Sequence, residues 1–148
     1  MMSHPYTRNH VHIIFGTKGG RKCIQGEMRE RLWNNLRDTA REYGVSLVEV
    51  GGTEDHVHLL VTMPPKVSVS VLLCAAKANS SKWMNDEGHL FAWQAGYAAF
   101  SVSASNLEKV AAYIRRQSEH HRRASFQEEF AVLLKKHGIE FTPRRIWA

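Results

Sequence analysis

The chain has 148 residues, 43% of them hydrophobic, which fits one compact domain that buries its own core. Its apolar runs fall short of the ~18 residues that a membrane span needs, and its first residues lack a signal pattern. Neither a membrane protein nor an exported one is therefore expected. The net charge is +6, and residues 109–148 hold nine Lys/Arg against four Asp/Glu. This excess suggests a nucleic-acid partner, although an ordinary solvent-exposed surface could carry the same excess of basic residues.

The two cysteines, Cys23 and Cys74, lie far apart and have no metal-type spacing. Free thiols in a reducing cytoplasm are the expected state. We therefore predict a cytoplasmic protein, which would be nucleoid-associated when bound to DNA.

The first half of the chain predicts three strands and one helix. Residues 10–17 are β-branched and aromatic and precede a Gly-rich turn, which indicates a strand. Residues 26–43 place apolar side chains at helical spacing. Two further strands, 45–52 and 54–63, are separated by a short polar corner and predict a hairpin.

The second half predicts a helix over 68–86 and a strand over 97–103. Ser105 and Glu108 have the spacing of a capping box, so a helix is expected to begin there and to continue through Arg122. Ser125 and Glu128 form a second such box, which opens a helix that stops at Gly138.

This order, βαββαβ and then two helices, predicts an α+β fold of the ferredoxin-like, split βαβ type with an antiparallel sheet. The first additional helix carries a tyrosine, and one further helix follows it. Strands one and three are central neighbours in that fold. The stretches "NHVHIIFG" (9–16) and "EDHVHLLVTM" (54–63) should therefore lie side by side.

The second of these stretches is a candidate metal site. His56 and His58 alternate with Val57 in a strand, so both imidazoles should point to one face about 7 Å apart. Val57, Leu59 and Val61 would pack under a helix on the other face. Two histidines at the end of a strand can equally bond to backbone without holding a metal.

A second candidate is "YIRRQSEHH", residues 113–121. Tyr113 and Gln117 are four residues apart and would share a helix face. The alternative is that Tyr113 is half buried in the core and Gln117 is exposed to solvent, as is usual for these residue types. His120 and His121 would lie two turns from Tyr113 and are weaker ligand candidates. Two imidazoles and an amide oxygen make a mixed site that suits Mg²⁺ or Mn²⁺ better than a closed zinc site.

Three blocks of the sequence resemble the HUH-type single-tyrosine transposases of the insertion-sequence 200/605 family. "GGTEDHVHLLVTMPP" is similar to the HUH strand of that family, "SVSVLLCAAKANSSKW" to the next helix and "FAWQAGYAAFSVSASNLEKVAAYIRRQSEHHR" to the tyrosine helix. The resemblance spans about residues 10–140. It implies one domain, 1–148, with a core of about 10–122 and a basic helix and tail of about 125–148.

The resemblance also implies roles for individual residues. His56, His58 and Gln117 would be metal ligands for Mg²⁺ or Mn²⁺, Tyr113 the nucleophile, and His12 part of the site lining. The implied reaction cuts and rejoins single-stranded DNA at end hairpins through a 5′-phosphotyrosine, in a homodimer and without a small-molecule substrate.

DNA contacts are expected from basic residues of the last helices, although each of them could be merely solvated: Arg115, Arg116, Arg122, Arg123, Lys135 and Lys136. Two other functions stay open at this point. One is a non-cutting protein of the same fold that binds DNA or RNA hairpins. The other is a metal-dependent hydrolase that uses water in place of Tyr113.

Overall fold

The computed structural model describes residues 5–146 and contains one four-stranded antiparallel sheet in the order β2-β3-β1-β4. The strands are β1 (Asn9–Gly16), β2 (Ser46–Gly52), β3 (His56–Met63) and β4 (Ala98–Val102). β1 and β3 are the central pair, and β2 and β3 form the predicted hairpin. Residues 1–4 and 147–148 of the predicted domain lie outside the described part of the chain.

The helices complete the βαββαβ order and confirm the predicted α+β class. They are α1 (Glu27–Glu42), α2 (Val69–Asp86), α3 (Leu107–Arg115), α4 (Gln117–His120), α5 (Phe126–Lys136) and α6 (Pro143–Ile146). The short α4 and α6 were not predicted. Between residues 5 and 146, no helix is both long and apolar enough to cross a membrane.

The two predicted capping boxes have different outcomes. Ser125 Oγ accepts a hydrogen bond from the backbone N–H of Glu128 at 3.1 Å, so the cap of α5 is confirmed. The box at Ser105 is wrong. A short 3-10 turn occupies Ala104–Asn106, α3 begins only at Leu107, and no side chain caps it. The Ser105 hydroxyl instead lies 3.1 Å from that of Ser103.

The larger part of the core lies between the sheet and the helices α1 and α2. Val57, Leu59 and Val61 of β3 face these helices, as their alternation predicted. Leu36 and Leu72, one from each helix, are almost fully buried in the same cluster. Burial of this apolar surface is the main force that fixes α1 and α2 on one face of the sheet.

The opposite face of the sheet is covered by α3 and α5. Ile114 of α3 packs on Leu60, and Phe130 of α5 belongs to a cluster with Ile14. The central strands are therefore buried on both faces. Any polar side chain that they direct toward α3 and α5 is shielded from water and needs a partner in the protein.

Gly51 of β2 lies where α3 comes closest to the sheet. A Cβ atom at this position would lie 2.5 Å from the carbonyl oxygen of Ile114 and 3.0 Å from its Cγ2. Real Cβ atoms do not approach backbone atoms this closely, so a larger residue would push α3 outward. Because Gly51 has no side chain, α3 can lie close to β2, and this close approach helps to set the position of Tyr113 on α3.

We expect Gly51→Ala to lower the free energy of unfolding by about 1–3 kcal/mol, because α3 must shift to relieve the overlap. Urea denaturation followed by circular dichroism measures this change. Gly96→Ala is the control, since a Cβ there meets no atom within 4 Å. An unchanged stability of Gly51→Ala would contradict the close contact between β2 and α3.

Candidate functional site

Three histidines of the central strands meet on the face that α3 and α5 cover. Ile14 pairs with His58 in the β1–β3 register, and His12 pairs with Leu60. His12 Nε2 lies 2.8 Å from His58 Nδ1, and the two rings stack with centroids 5.0 Å apart. The predicted juxtaposition of the two His-Val-His stretches is thus confirmed. The centroids of the His56 and His58 rings are 5.1 Å apart, closer than the expected strand spacing.

The fully buried His56 is held from both sides of its ring. Its Nδ1 lies 2.8 Å from Asp55 Oδ1 and 3.1 Å from Thr53 Oγ1, and its Nε2 lies 2.7 Å from Gln117 Oε1. The Phe126 ring of α5 stacks on the imidazole with a centroid distance of 4.2 Å. A carboxylate on one ring nitrogen orients the imidazole and leaves the other nitrogen directed into the site.

The tyrosine-bearing segment is not one continuous helix, and this prediction is wrong. The α3 helix ends at Arg115, and α4 starts at Gln117 after a change of direction at Arg116, where φ is −95° and ψ is 17°. His120 and His121 are therefore not two turns away from the site. The His120 ring centroid lies 5.6 Å from that of Tyr113, and the His121 ring is 4.5 Å from His56.

A carboxylate from α5, Glu129, lies at the centre of this group of side chains. It is only 4% exposed. Its Oε1 lies 3.1 Å from His58 Nε2 and 2.9 Å from His121 Nε2. Its Oε2 accepts hydrogen bonds from the Tyr113 hydroxyl and, at 2.9 Å, from the amide nitrogen of Gln117. Glu129 thus contacts the predicted nucleophile and all three predicted ligands, His56 Nε2 being 3.5 Å from its Oε1.

These contacts shift the ionisation of the acidic groups. Burial alone would raise the pKa of Glu129, but hydrogen bonds from His121, His58 and Tyr113 hold it well below its usual range. Burial and the hydrogen bond to Glu129 raise the pKa of Tyr113. The phenol is therefore held in its O–H form, and it needs additional positive charge nearby before it can become a phenolate.

Two of the strand histidines, His12 and His58, are held neutral. Burial, with a smaller contribution from His58, lowers the pKa of His12 to about 3. Burial also lowers the pKa of His58 to about 4, although Glu129 acts in the opposite direction. A consistent pattern has His12 Nε2–H donating to His58 Nδ1 and His58 Nε2–H donating to Glu129.

The cluster can accommodate a divalent cation. One ligand atom each from His56, His121 and Glu129 lies within 4.8 Å of the others. Gln117 Oε1 adds a neutral oxygen 3.0 Å from His121 Nε2. Imidazole nitrogens together with carboxylate and amide oxygens form a donor set found at Mg²⁺, Mn²⁺ and other divalent sites.

A cleft leads from solvent to the Tyr113 hydroxyl. It has a volume of about 750 Å³ and runs between α3 and α5 over β4, with Lys109 and Lys136 in its lining. A second cavity of about 420 Å³ reaches His121 from the opposite side and is lined by Arg122 and Arg123. The cluster is thus flanked by two cavities that are lined by both basic and acidic side chains.

The six predicted DNA-binding residues are all exposed. Arg115 is engaged in ion pairs with Glu49 at 2.8 Å and Glu108 at 2.6 Å, so part of its charge is compensated within the protein. Four of the other five line cavities around the site: Arg116, Arg122, Arg123 and Lys136. Lys135 lines none of these cavities.

The family model described as "Transposase IS200 like" matches residues 5–117. The chain belongs to the IS200-like transposase family. Among curated relatives, the transposase for insertion sequence element IS200 of Salmonella typhimurium is 32% identical over 120 residues, which cover 73% of this chain and 76% of the relative. The ISDra2 transposase TnpA of Deinococcus radiodurans is 26% identical over 118 residues, covering 73% and 83%.

Two solved structures share the fold of this family member. One, described as a transposase from Deinococcus radiodurans R1, is 25% identical with a TM-score of 0.63, covering 79% of this chain and 97% of its own. The other is a REP-associated tyrosine transposase bound to a REP hairpin. It is 13% identical with a TM-score of 0.63, covering 82% and 74%. The family resemblance seen in the sequence is confirmed.

The sequence analysis missed Glu129 and Asp55 and gave His121 little weight. One signal for Glu129 was present: it lies at i+3 from Phe126 and beside Phe130, on the apolar stripe of an amphipathic helix. A carboxylate in that position must be buried with partners. A signal for His121 was also present: it lies four residues after Gln117 and so shares a helix face with that predicted ligand.

We expect the metal-free protein to lose stability as the pH falls from about 6.5 to about 4. In this window the unfolded chain protonates His12 and His58, whereas the folded chain does not because its pKa values are lowered. Unfolding therefore takes up protons, and each histidine contributes up to about 1.4 kcal/mol per pH unit. Urea denaturation in EDTA at pH 7 and pH 5 measures the loss.

His12→Gln removes one of these groups and should reduce the slope of stability against pH. His89→Gln makes the same change at an exposed position and serves as the control. Equal slopes for His12→Gln and the unchanged protein would show that His12 is not held neutral by burial.

Proposed function

We propose that this protein cleaves and rejoins single-stranded DNA at the ends of a mobile element, with Tyr113 as the nucleophile. The observation that carries the proposal is the shared contact of the Tyr113 hydroxyl and Gln117 with Glu129, beside His56 and His58. A nucleophilic hydroxyl next to a set of cation ligands is the arrangement that phosphoryl transfer requires.

His56, His58 and Gln117 are proposed to hold Mg²⁺ or Mn²⁺. When bound, such an ion would neutralise charge on the nonbridging oxygens of the scissile phosphate. Binding through His58 Nε2 requires the proton of that ring to move to Nδ1, where His12 Nε2 is its acceptor. His12 would then fix the ring orientation of His58, as groups behind metal ligands commonly do.

The Tyr113 oxygen forms a bond to phosphorus as the bond between phosphorus and the 3′ oxygen breaks. The phenolic proton is lost as this bond forms, and the departing 3′ oxygen takes up a proton. The products are a 5′-phosphotyrosine and a free 3′-hydroxyl. Because the phosphodiester energy is kept in the tyrosine ester, attack by another 3′-hydroxyl joins strands without ATP.

The nucleic acid is proposed to follow the lysine and arginine side chains that line the two cavities. Arg122 and Arg123 border one side of the cluster and Lys136 the other, so a strand that crosses the site would meet positive charge before and after the scissile phosphate. Arg116 and Lys135 would extend this surface. Arg115 contributes less, since two carboxylates already neutralise it.

One specific observation favours a second function, a hairpin-binding protein of this fold that does not cut. The REP-associated tyrosine transposase with the same fold is described in complex with a REP hairpin. Binding of a hairpin and attack by the tyrosine are separable, because the first uses surface charge and the second the Tyr113 hydroxyl.

We expect Tyr113→Phe to abolish the covalent protein–DNA adduct while hairpin affinity changes less than about threefold, since only one hydroxyl is removed. The assay incubates purified protein with labelled single-stranded DNA from its genomic flanks, in Mg²⁺, Mn²⁺ or EDTA, on denaturing gels. Tyr97→Phe, at a tyrosine outside the cluster, is the matched control.

The same gel separates the three functions. An adduct that depends on both metal and Tyr113 supports the transposase. Cleavage that persists in Tyr113→Phe identifies a metal-dependent hydrolase. Hairpin retardation without cleavage in any metal identifies the non-cutting binder.

The protein is further proposed to act as a homodimer, because strand exchange needs two DNA ends in one complex. Multi-angle light scattering at tens of micromolar protein should give about twice the chain mass of 16.9 kDa. A mass of one chain, both with and without hairpin DNA, would contradict the dimer.

A further inference from the structure

The atoms that surround the His56 ring offer more hydrogen-bond acceptors than a neutral imidazole has N–H groups to donate. Its Nδ1 faces the Asp55 carboxylate, which only accepts hydrogen bonds, so the single N–H of a neutral imidazole belongs there. The remaining lone pair on Nε2 then points at Gln117 Oε1, 2.7 Å away, and at Glu129 Oε1, 3.5 Å away. Nitrogen and oxygen lone pairs at these separations repel each other unless positive charge lies between them.

His121 repeats the same arrangement from the other side. Its Nδ1 lies 2.7 Å from the carbonyl oxygen of Ala124, which again only accepts. Its Nε2 lies 3.0 Å from Gln117 Oε1 and 2.9 Å from Glu129 Oε1. The orientation of the Gln117 amide is fixed, because its nitrogen donates to Glu129 Oε2 at 2.9 Å. Four potential ligand atoms, two nitrogens and two oxygens, therefore converge on one volume, and a cation there would replace the proton that His121 Nε2 donates to Glu129.

We infer that Glu129 and His121 are ligands of the divalent cation, beside His56 and Gln117. This inference rests on the proposed function and enlarges its ligand set with one residue from α5 and one from the segment that follows α4. Neighbouring ligands of an octahedral Mg²⁺ or Mn²⁺ are about 3 Å apart. Four of the six separations among these atoms lie between 2.7 and 3.5 Å, close to that spacing, and the atoms of His56, His121 and Glu129 all lie within 4.8 Å of one another.

The Glu129 carboxylate also links the ion to the nucleophile. Its Oε1 faces the histidines, whereas its Oε2 accepts the Tyr113 hydroxyl. Phe126 and Phe130 anchor α5 on the sheet and thereby hold the carboxylate in place. Cation binding and the docking of α5 are consequently coupled, so the ion should stabilise α5 against local opening.

The decisive measurement is Mn²⁺ affinity without DNA, by titration calorimetry or by the electron paramagnetic resonance signal of free Mn²⁺. We expect Glu129→Gln to weaken Mn²⁺ binding by at least about tenfold. Glu129→Asp keeps the charge but withdraws the carboxylate by one methylene, and it should also weaken binding. Glu128→Gln removes the same charge one residue away, on the exposed side of α5, and should stay within about twofold.

His121→Gln should weaken binding as well, since it removes one of the four converging atoms. Hydrogen exchange provides a second readout: Mn²⁺ should slow amide exchange in α5 of the unchanged protein and not in Glu129→Gln. Circular dichroism of each variant establishes that it is folded before titration.

The outcomes separate the inference from the proposed function. If His56→Gln loses Mn²⁺ affinity while Glu129→Gln keeps or exceeds the original affinity, Glu129 is not a ligand and the proposed function stands. If the unchanged protein binds no Mn²⁺, both the inference and the proposed metal-dependent function are wrong. Parallel loss in His56→Gln, His121→Gln and Glu129→Gln, with Glu128→Gln unaffected, establishes the enlarged site.

Discussion

A buried carboxylate needs hydrogen-bond donors or a cation on both oxygens, and Glu129 meets this requirement only when four parts of the chain are in place. β3 brings His58, α3 brings Tyr113, and the segment from α4 onward brings Gln117 and His121. Each oxygen has two of these partners, so removal of one weakens the compensation of the buried charge and removal of both leaves that oxygen unpaired in a dry environment. The polar cluster therefore specifies how the helices are arranged over the sheet.

The two faces of the sheet are stabilised by different kinds of interaction. Apolar burial is the main force that fixes α1 and α2, and that side tolerates conservative changes of hydrophobic residues. The other face combines two small apolar clusters with the histidines and Glu129 between them. Hydrogen-bond geometry is directional, so this side tolerates fewer substitutions but holds its polar side chains in defined positions.

Most of the fold could be predicted from local patterns. The alternation around Val57 and Leu59 predicted which face of β3 packs under helices, and the Ser125 cap predicted the start of α5. The site was predicted only in part. Tyr113, Gln117 and the strand histidines were predicted and lie together in the structure, whereas Glu129 comes from a helix whose docking depends on long-range packing. The break at Arg116 has no Pro or Gly to mark it, so a continuous helix was the natural expectation.

The Tyr113 ring packs edge-on against the rings of His12 and His58, and only its terminal oxygen meets Glu129. Gln117 would still donate to the same carboxylate oxygen if that terminal atom were lost. The fold thus depends on the ring, whereas the proposed chemistry depends on one atom. Tyrosine and phenylalanine codons differ by a single base. Under the proposed mechanism, a lineage that carries such an element can therefore silence its mobility in one mutational step and retain a folded protein for other uses.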